Sequence, residues 1–257
     1  MKNFDQKYQI LSWILRITIA LTFIGHGIWG LLAKKEWAAF FVPFGIPQTL
    51  AFKLMPLIGA IDIFLGIFVL FYVYKPFLWW MLFWGVWTAL LRPIAGMSWF
   101  EVIERAGNFG PALALLALIY YREKKLDWVE WIVRISLSLL LIGHAGYAIV
   151  LQKPLLTTHF ASIGINATPS FLIWFGMIEI GLALLVLAMP SIALYAFILA
   201  WKLITESLFI STGPAINLLE FIERAGDFGI PIALIFFEMW KKKGNHAIEN
   251  EKKNERF

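Results

Sequence analysis

The chain has 257 residues, 60% of them hydrophobic and only 15% charged, with a net charge of +5 and a mean hydropathy of +0.75. A soluble domain carries about a quarter charged residues, and a globule of this size cannot hide so much apolar surface from water. The soluble classes are therefore excluded, and so is disorder, which requires low hydrophobicity. The chain has no cysteine, which removes disulfides, thiolate metal sites, iron–sulfur clusters and Cys-x-x-Cys relays. Its scattered basic residues suit anionic lipid rather than nucleic acid.

A membrane-spanning helix needs roughly 20 mostly apolar residues. Eight segments qualify in chain order: Ile10–Ala33, Leu54–Tyr74, Phe77–Met97, Phe100–Tyr121, Trp128–Leu151, Phe171–Met189, Ser191–Ser211 and Ile216–Trp240. The first is too long for a signal-peptide core and no small-residue cleavage site follows, so it reads as a retained helix. Glu36–Phe52, rich in aromatics and broken by Pro43 and Pro47, is too short to span and is expected at the interface or folded back into the protein. The predicted fold class is an all-α membrane protein with eight transmembrane helices.

The flanking charges predict an orientation. Lys2 and Lys7 precede the first segment, Arg122, Lys124 and Lys125 follow the fourth, and Lys241, Lys242 and Lys243 follow the eighth. An even number of crossings puts these clusters and Lys75 on one side, against Lys34, Lys35, Lys53 and Lys153 on the other. The positive-inside rule then places both termini in the cytoplasm of a bacterial-type inner membrane. Residues 122–127 read as a cytoplasmic linker between a first unit (1–121) and a second (128–243), and the polar tail 244–257 reads as disordered.

The two units are similar in sequence. Glu101–Gly110 (EVIERAGNFG) and Glu220–Gly229 (EFIERAGDFG) share eight of ten residues. Trp13, Arg16, Gly25 and His26 match Trp131, Arg134, Gly143 and His144; Gly59 and Asp62 match Gly176 and Glu179; Trp84 and Thr88 match Trp201 and Thr205. The offset stays between 117 and 119 throughout. Four spans per unit make both units enter the membrane in the same sense, so the expected architecture is two parallel four-helix repeats about a pseudo-twofold axis along the membrane normal.

Each repeat opens with a helix carrying an Arg near its cytoplasmic end. The first has Gly25-His26-Gly27 near the far end, and the fourth segments open on Glu104-Arg105-Ala106-Gly107-Asn108 and Glu223-Arg224-Ala225-Gly226-Asp227. This pattern resembles the DoxX/DoxD-like membrane family over nearly all of both repeats, although members are usually single four-helix units and this chain reads as a fused pair. The resemblance implies the four-helix unit and, more loosely, a membrane subunit associated with quinone-linked oxidation or oxidative-stress complexes.

Ionisable groups at membrane depth cost about 2.5–3.5 kcal/mol each on insertion scales and point to function by default. His26 lies roughly 15 Å along the helix from Arg16, in the outer half of the bilayer, and Asp62 reaches a similar depth. Thr18, Thr22 and His26 share one helix face. Pro111 to Tyr121 is too short to span, so the fourth segment must include its Glu-Arg motif. Glu101 with Arg105 and Glu104 with Asn108 are i, i+4 pairs, while Gly107, Gly110 and Pro111 should kink the helix. The expected clusters are His26, Asp62, Glu104, Arg105 and Asn108 in one repeat, and His144, Glu179, Glu223, Arg224 and Asp227 in the other. The repeats diverge at Arg92, matched by Phe209, and at Lys202 and Glu206, an i, i+4 pair replacing Gly85 and Ala89.

The residue types leave several readings open. The Glu-Arg motif serves either a site or a structural clamp. Arg16 and Arg134 are expected to snorkel to headgroups. His26 and His144 suit a quinone headgroup, axial ligation of haem b, a metal held with carboxylates, or a satisfied buried hydrogen bond. His159 is assigned no role. The first functional expectation is a quinone-interacting or redox-complex subunit working with other membrane or periplasmic subunits; the alternatives are a small-solute transporter with duplicated halves and a scaffold of a larger complex.

Overall fold

A computed structural model describes residues 2–121 and 126–254. Among these the chain is all-helical, and six helices are long and apolar enough to cross a membrane. This is the architecture of a multi-pass membrane protein. The predicted linker residues 122–125 and the last residues 255–257 lie outside the described residues.

The first four predicted segments become α1 (Lys2–Leu31), α2 (Gln48–Phe71), α3 (Lys75–Ile94) and a broken pair, α4 (Phe100–Glu104) and α5 (Ala106–Tyr121). The last four become α6 (Leu126–Ile149), α8 (Pro169–Ala188), α9 (Ile192–Ser211) and a second broken pair, α10 (Leu218–Glu223) and α11 (Ala225–Asn254), with α7 (Pro154–Ser162) lying between α6 and α8. The six helices that qualify as spans are α1, α2, α3, α6, α8 and α9. The helix starts follow local chemistry. Thr168 and Ser191 cap α8 and α9 through Phe171 N and Leu194 N, as hydroxyl side chains do for orphan N–H groups. Pro76, Pro154 and Pro169 each sit in a first turn, where the missing N–H costs nothing.

The aromatic stretch 36–52 does fold back on the protein. It forms short 3-10 turns at Lys35–Phe40 and Val42–Phe44, buries Ala38 against Ala51 and Met55, and lays Trp37 against His26 with ring centroids 4.3 Å apart. Its last residues belong to α2, which begins six residues earlier than the apolar pattern indicates. At the other end, α11 runs to Asn254, through a segment whose composition alone favours disorder. A helix already nucleated by packing extends cheaply through Glu- and Lys-rich sequence.

The fourth segments are where expectation and structure part. A kink is expected at the Gly and Pro residues, but α5 and α11 run through Pro111 and Pro231, and the helices break at Arg105 and Arg224. The glycines serve packing instead. A β-carbon on Gly226 would collide with the carbonyl of Gly107, and one on Gly107 with the Leu140 side chain. Other contacts come in reciprocal pairs. Gly25 abuts the Glu223 backbone and Gly143 the Glu104 backbone; Gly229 abuts Thr18 and Gly110 abuts Ser136. Thr18 and Thr22 are buried as expected, their hydroxyls turned back to carbonyls of their own helix.

The apolar core lies between α1, α5, α6 and α11, with Leu11, Leu15, Leu115, Leu118, Leu137, Leu141 and Leu234 buried together. α2 packs on α1 and α8 on α6, and their far sides expose Leu57, Phe64, Trp174 and Leu184. Such a broad apolar surface is a liability in water and fits a lipid environment.

Arg16 and Arg134, expected to reach headgroups, bond to backbone carbonyls of a neighbouring helix. Arg16 donates from Nε to Val69 O at 2.8 Å and also to Leu70 O, while Arg134 donates from Nε to Val186 O at 2.9 Å and also to Leu187 O. The guanidinium groups lie 4.1 and 4.3 Å from the ring centroids of Trp13 and Trp131. The last carbonyls of α2 and α8 have no partners within their own helices, and in a low-dielectric setting a fork-shaped cation satisfies two at once. Arg16→Gln is expected to cost about 1–3 kcal/mol, the range for a hydrogen bond to a charged group, seen as a lowered melting temperature of the purified protein.

Candidate functional site

α4 and α10 are one-turn helices that end on Glu104 and Glu223, both buried. The breaks after them let Arg105 and Arg224 leave the helix path and enter a polar layer at the centre of the bundle. The sequence places Glu104 with His26 and Glu223 with His144. The structure exchanges the acids. His26 Nδ1 lies 3.3 Å from Glu223 Oε1, and His144 Nε2 lies 3.5 Å from Glu104 Oε1. Arg105 bridges the two, with Nη1 2.9 Å from Glu223 Oε1 and Nε 3.4 Å from Glu104 Oε2. The helices cross at Gly25 and Gly143, so each histidine meets the acid carried by the opposite half.

The predicted pair Glu101–Arg105 does not form, because both partners have stronger claims. Glu101 accepts from Tyr147 Oη at 3.0 Å, pairs with Lys153, and has Arg92 Nε at 3.9 Å. Asn108 has no bond to Glu104 and borders a small space beside His26. In the second half Arg224 does bond Glu220, at 3.0 Å, and Lys34 pairs with Glu220 as Lys153 does with Glu101. Arg224 also reaches Glu206 at 3.2 Å. Glu206 holds Arg224 in its own half, whereas Arg105, with Ala89 at the matching position, crosses to Glu223.

Lys202 and Glu206 pair as their spacing predicts, at 2.7 Å, and the pair is the centre of a larger cluster. The Lys202 ammonium, with no exposed surface, also touches Asp227 Oδ2 at 3.1 Å, Glu179 Oε1 at 3.8 Å and His144 Nδ1. His144, Glu206 and Asp227 could present one ligand atom each within 4.8 Å of one another. That donor set resembles a metal site, but the ammonium already stands among the three.

Asp62 and Glu179 occupy matching places, each receiving an indole N–H: Trp84 Nε1 at 3.4 Å and Trp201 Nε1 at 3.1 Å. The polar layer, with its outer pairs, holds eight carboxylates (Asp62, Glu101, Glu104, Glu179, Glu206, Glu220, Glu223, Asp227) and six permanent cations (Lys34, Arg92, Arg105, Lys153, Lys202, Arg224). Buried charge must be compensated, and the carboxylates here outnumber the permanent cations by two.

A cavity of about 100 Å³ opens on the second half of this layer. His144, Glu104, Glu206 and Arg224 form its polar wall; Phe160, Phe175, Leu156 and Leu208 form its apolar walls; α7 covers it. The sequence reading assigns nothing to His159, placing it in a loop. In the structure it sits on α7, buried, with its ring 4.4 Å from that of Phe209, and borders the cavity. Burial holds its imidazole below the ordinary histidine range, in the neutral form. Its Nε2 has no hydrogen-bond partner among the described residues. Buried polar atoms are rarely left so. Tyr147 and Lys153 are further members the sequence did not single out. Tyr147 stands three residues after His144 on α6, its ring stacked 5.7 Å from that imidazole, a spacing that could have found it, whereas Lys153 and His159 meet the site through the connection and α7 that follow.

No family model, curated protein or solved structure gave a match to this chain. The chemistry must be read from the site. Axial haem ligation does not fit: His26 and His144 border different cavities, and each is held by its own carboxylate.

Proposed function

We propose that the chain is a membrane subunit of a redox complex that holds a quinone headgroup in the cavity beneath α7. The observation that carries this reading is a cavity apolar on one side and rich in proton-exchanging groups on the other, bordered by a buried histidine, His159, whose Nε2 has no hydrogen-bond partner among the described residues. A quinone carbonyl accepts a hydrogen bond from a neutral imidazole, and its ring stacks against phenylalanine. Reduction to quinol takes up two electrons and two protons. The electrons come from a partner subunit, since this chain encodes no redox centre. The protons come through the carboxyl and imidazole groups of the layer behind His144.

The same reading extends to the whole chain. The broken segments α4–α5 and α10–α11 complete eight spans, arranged as two parallel four-helix repeats with both termini in the cytoplasm. The reciprocal contacts of Gly25 with Glu223 and Gly143 with Glu104 support a pseudo-twofold relation, because a twofold interface brings residue i to j and j to i. The DoxX/DoxD-like resemblance supports the redox association.

The test is organic extraction of the purified protein followed by titration with a short-chain quinone. Bound quinone and a saturable response are expected, with affinity about tenfold weaker in His159→Phe, which keeps the ring packing and removes one hydrogen bond of about 1.4 kcal/mol. An extract of phospholipid alone, with no saturable response, overturns the reading and favours transport by the duplicated halves.

A further inference from the structure

The two halves differ in one respect that concerns a ligand. In the second half a buried carboxylate, Glu179, has the Lys202 ammonium 3.8 Å away, and that ammonium rises from the residue next to Trp201, the indole that bonds Glu179. In the first half the carboxylate and the indole are both present, as Asp62 and Trp84 at 3.4 Å. The lysine is not; Gly85 takes its place. Asp62 is 1% exposed, and Trp84 is its one hydrogen-bond partner among the described residues. An indole N–H does not neutralise a buried carboxylate, which requires a cation or a proton.

A small space lies beside each of the two residues, Asp62 and Gly85. A cavity of about 50 Å³ is bordered by Asp62, His26 and Thr88 and walled by Trp37, Phe40 and Trp84. A second space, of about 20 Å³, is bordered by Gly85 and shares His26, Trp84 and Thr88 with the first. Aromatic faces around a single carboxylate are the chemistry that holds organic ammonium ions. Arg92 also borders this cavity, 5.3 Å from the Phe40 ring centroid, but donates to Thr88 O at 2.6 Å and lies 3.9 Å from Glu101. Arg105 is held by Glu223 at 2.9 Å, and the His26 imidazole lies 3.3 Å from the same acid.

We propose that the first-half cavity binds a small primary ammonium ion, with Asp62 as its counter-charge and Trp37, Phe40 and Trp84 as its walls, and that Lys202 is the tethered equivalent of this ligand in the second half. The cavity has room for ammonium or methylammonium. This proposal stands apart from the quinone reading, which concerns the other cavity.

The test is equilibrium binding of radiolabelled methylammonium to the full chain in nanodiscs, with sodium at matched ionic strength as competitor. Saturable binding near one per chain is expected, reduced at least tenfold in Asp62→Asn. Gly85→Lys supplies the tethered ammonium and should abolish binding while the protein melts at or above the wild-type temperature. The new side chain has to displace Phe109 slightly, whose β-carbon would lie 3.0 Å from the added one. Should Asp62→Asn fail to fold, Gly85→Lys decides. The proposal is overturned by absence of saturable binding to the wild type, by binding that survives in Gly85→Lys, or by sodium competing as well as unlabelled methylammonium.

Discussion

Replacing Lys202 with alanine is expected to destabilise the protein by about 3–5 kcal/mol, the cost of removing one partner from a buried ion cluster, and to make its stability depend on a divalent metal. Lys202 holds Glu206, Asp227 and Glu179 together with no exposed surface of its own. Its removal leaves three acids facing one another in a medium that screens little. It also empties the space between His144, Glu206 and Asp227, whose ligand atoms lie within 4.8 Å of one another. An imidazole with two carboxylates is a donor set that zinc accepts. Thermal melts should therefore show a depressed melting temperature for Lys202→Ala, partly restored by micromolar zinc, with no zinc response in the wild type. A variant that melts like the wild type would mean that the acids are protonated rather than ionised around the lysine. A variant that is destabilised but deaf to zinc would confine the cluster to a structural clamp.

The parts of this protein that were legible in its sequence are those governed by one segment at a time. Apolar runs located the helices, although α1 and α2 begin eight and six residues before them and α11 ends well after its run, and i, i+4 spacing found Lys202–Glu206. Trp84 and Trp201 match between the repeats, and both serve the matched acids Asp62 and Glu179. What was hidden depends on which segments meet. Arg105 has a suitable acid four residues before it, yet Glu223, 118 residues away, lies closer. Glu101 is left to Tyr147 at the end of α6 and Lys153 just beyond it. Arg16 carries the marks of a snorkelling residue, and only the position of the end of α2 shows that carbonyls bind it. His159 is hidden for the same reason: a lone histidine in a polar connection has no signal until α7 folds over the cavity.

The exchange of acids between halves rests on close backbone approach, and the tightest point is Gly226 against Gly107. The two glycines hold matching positions in the Glu-Arg-Ala-Gly motif, and a β-carbon on Gly226 would overlap the Gly107 carbonyl. Backbone cannot rotate out of the way as a side chain can, so α11 would have to shift against α5. That shift would pull Arg224 from Glu206 and Asp227 from Lys202, joined at 3.2 and 3.1 Å. Gly226→Ala is thus expected to cost about 3 kcal/mol, the upper end for overpacking, despite alanine being the better helix former by about 1 kcal/mol. Gly181, also within a helix, provides the contrast, because a β-carbon there meets nothing within 4 Å. Gly181→Ala should leave the melting temperature unchanged or raise it slightly, as the lost freedom of the unfolded chain favours folding. Equal melting temperatures for the two variants would mean that α5 and α11 do not touch at these glycines. The crossed pairs His26–Glu223 and His144–Glu104, which depend on that contact, would then have to be abandoned as well.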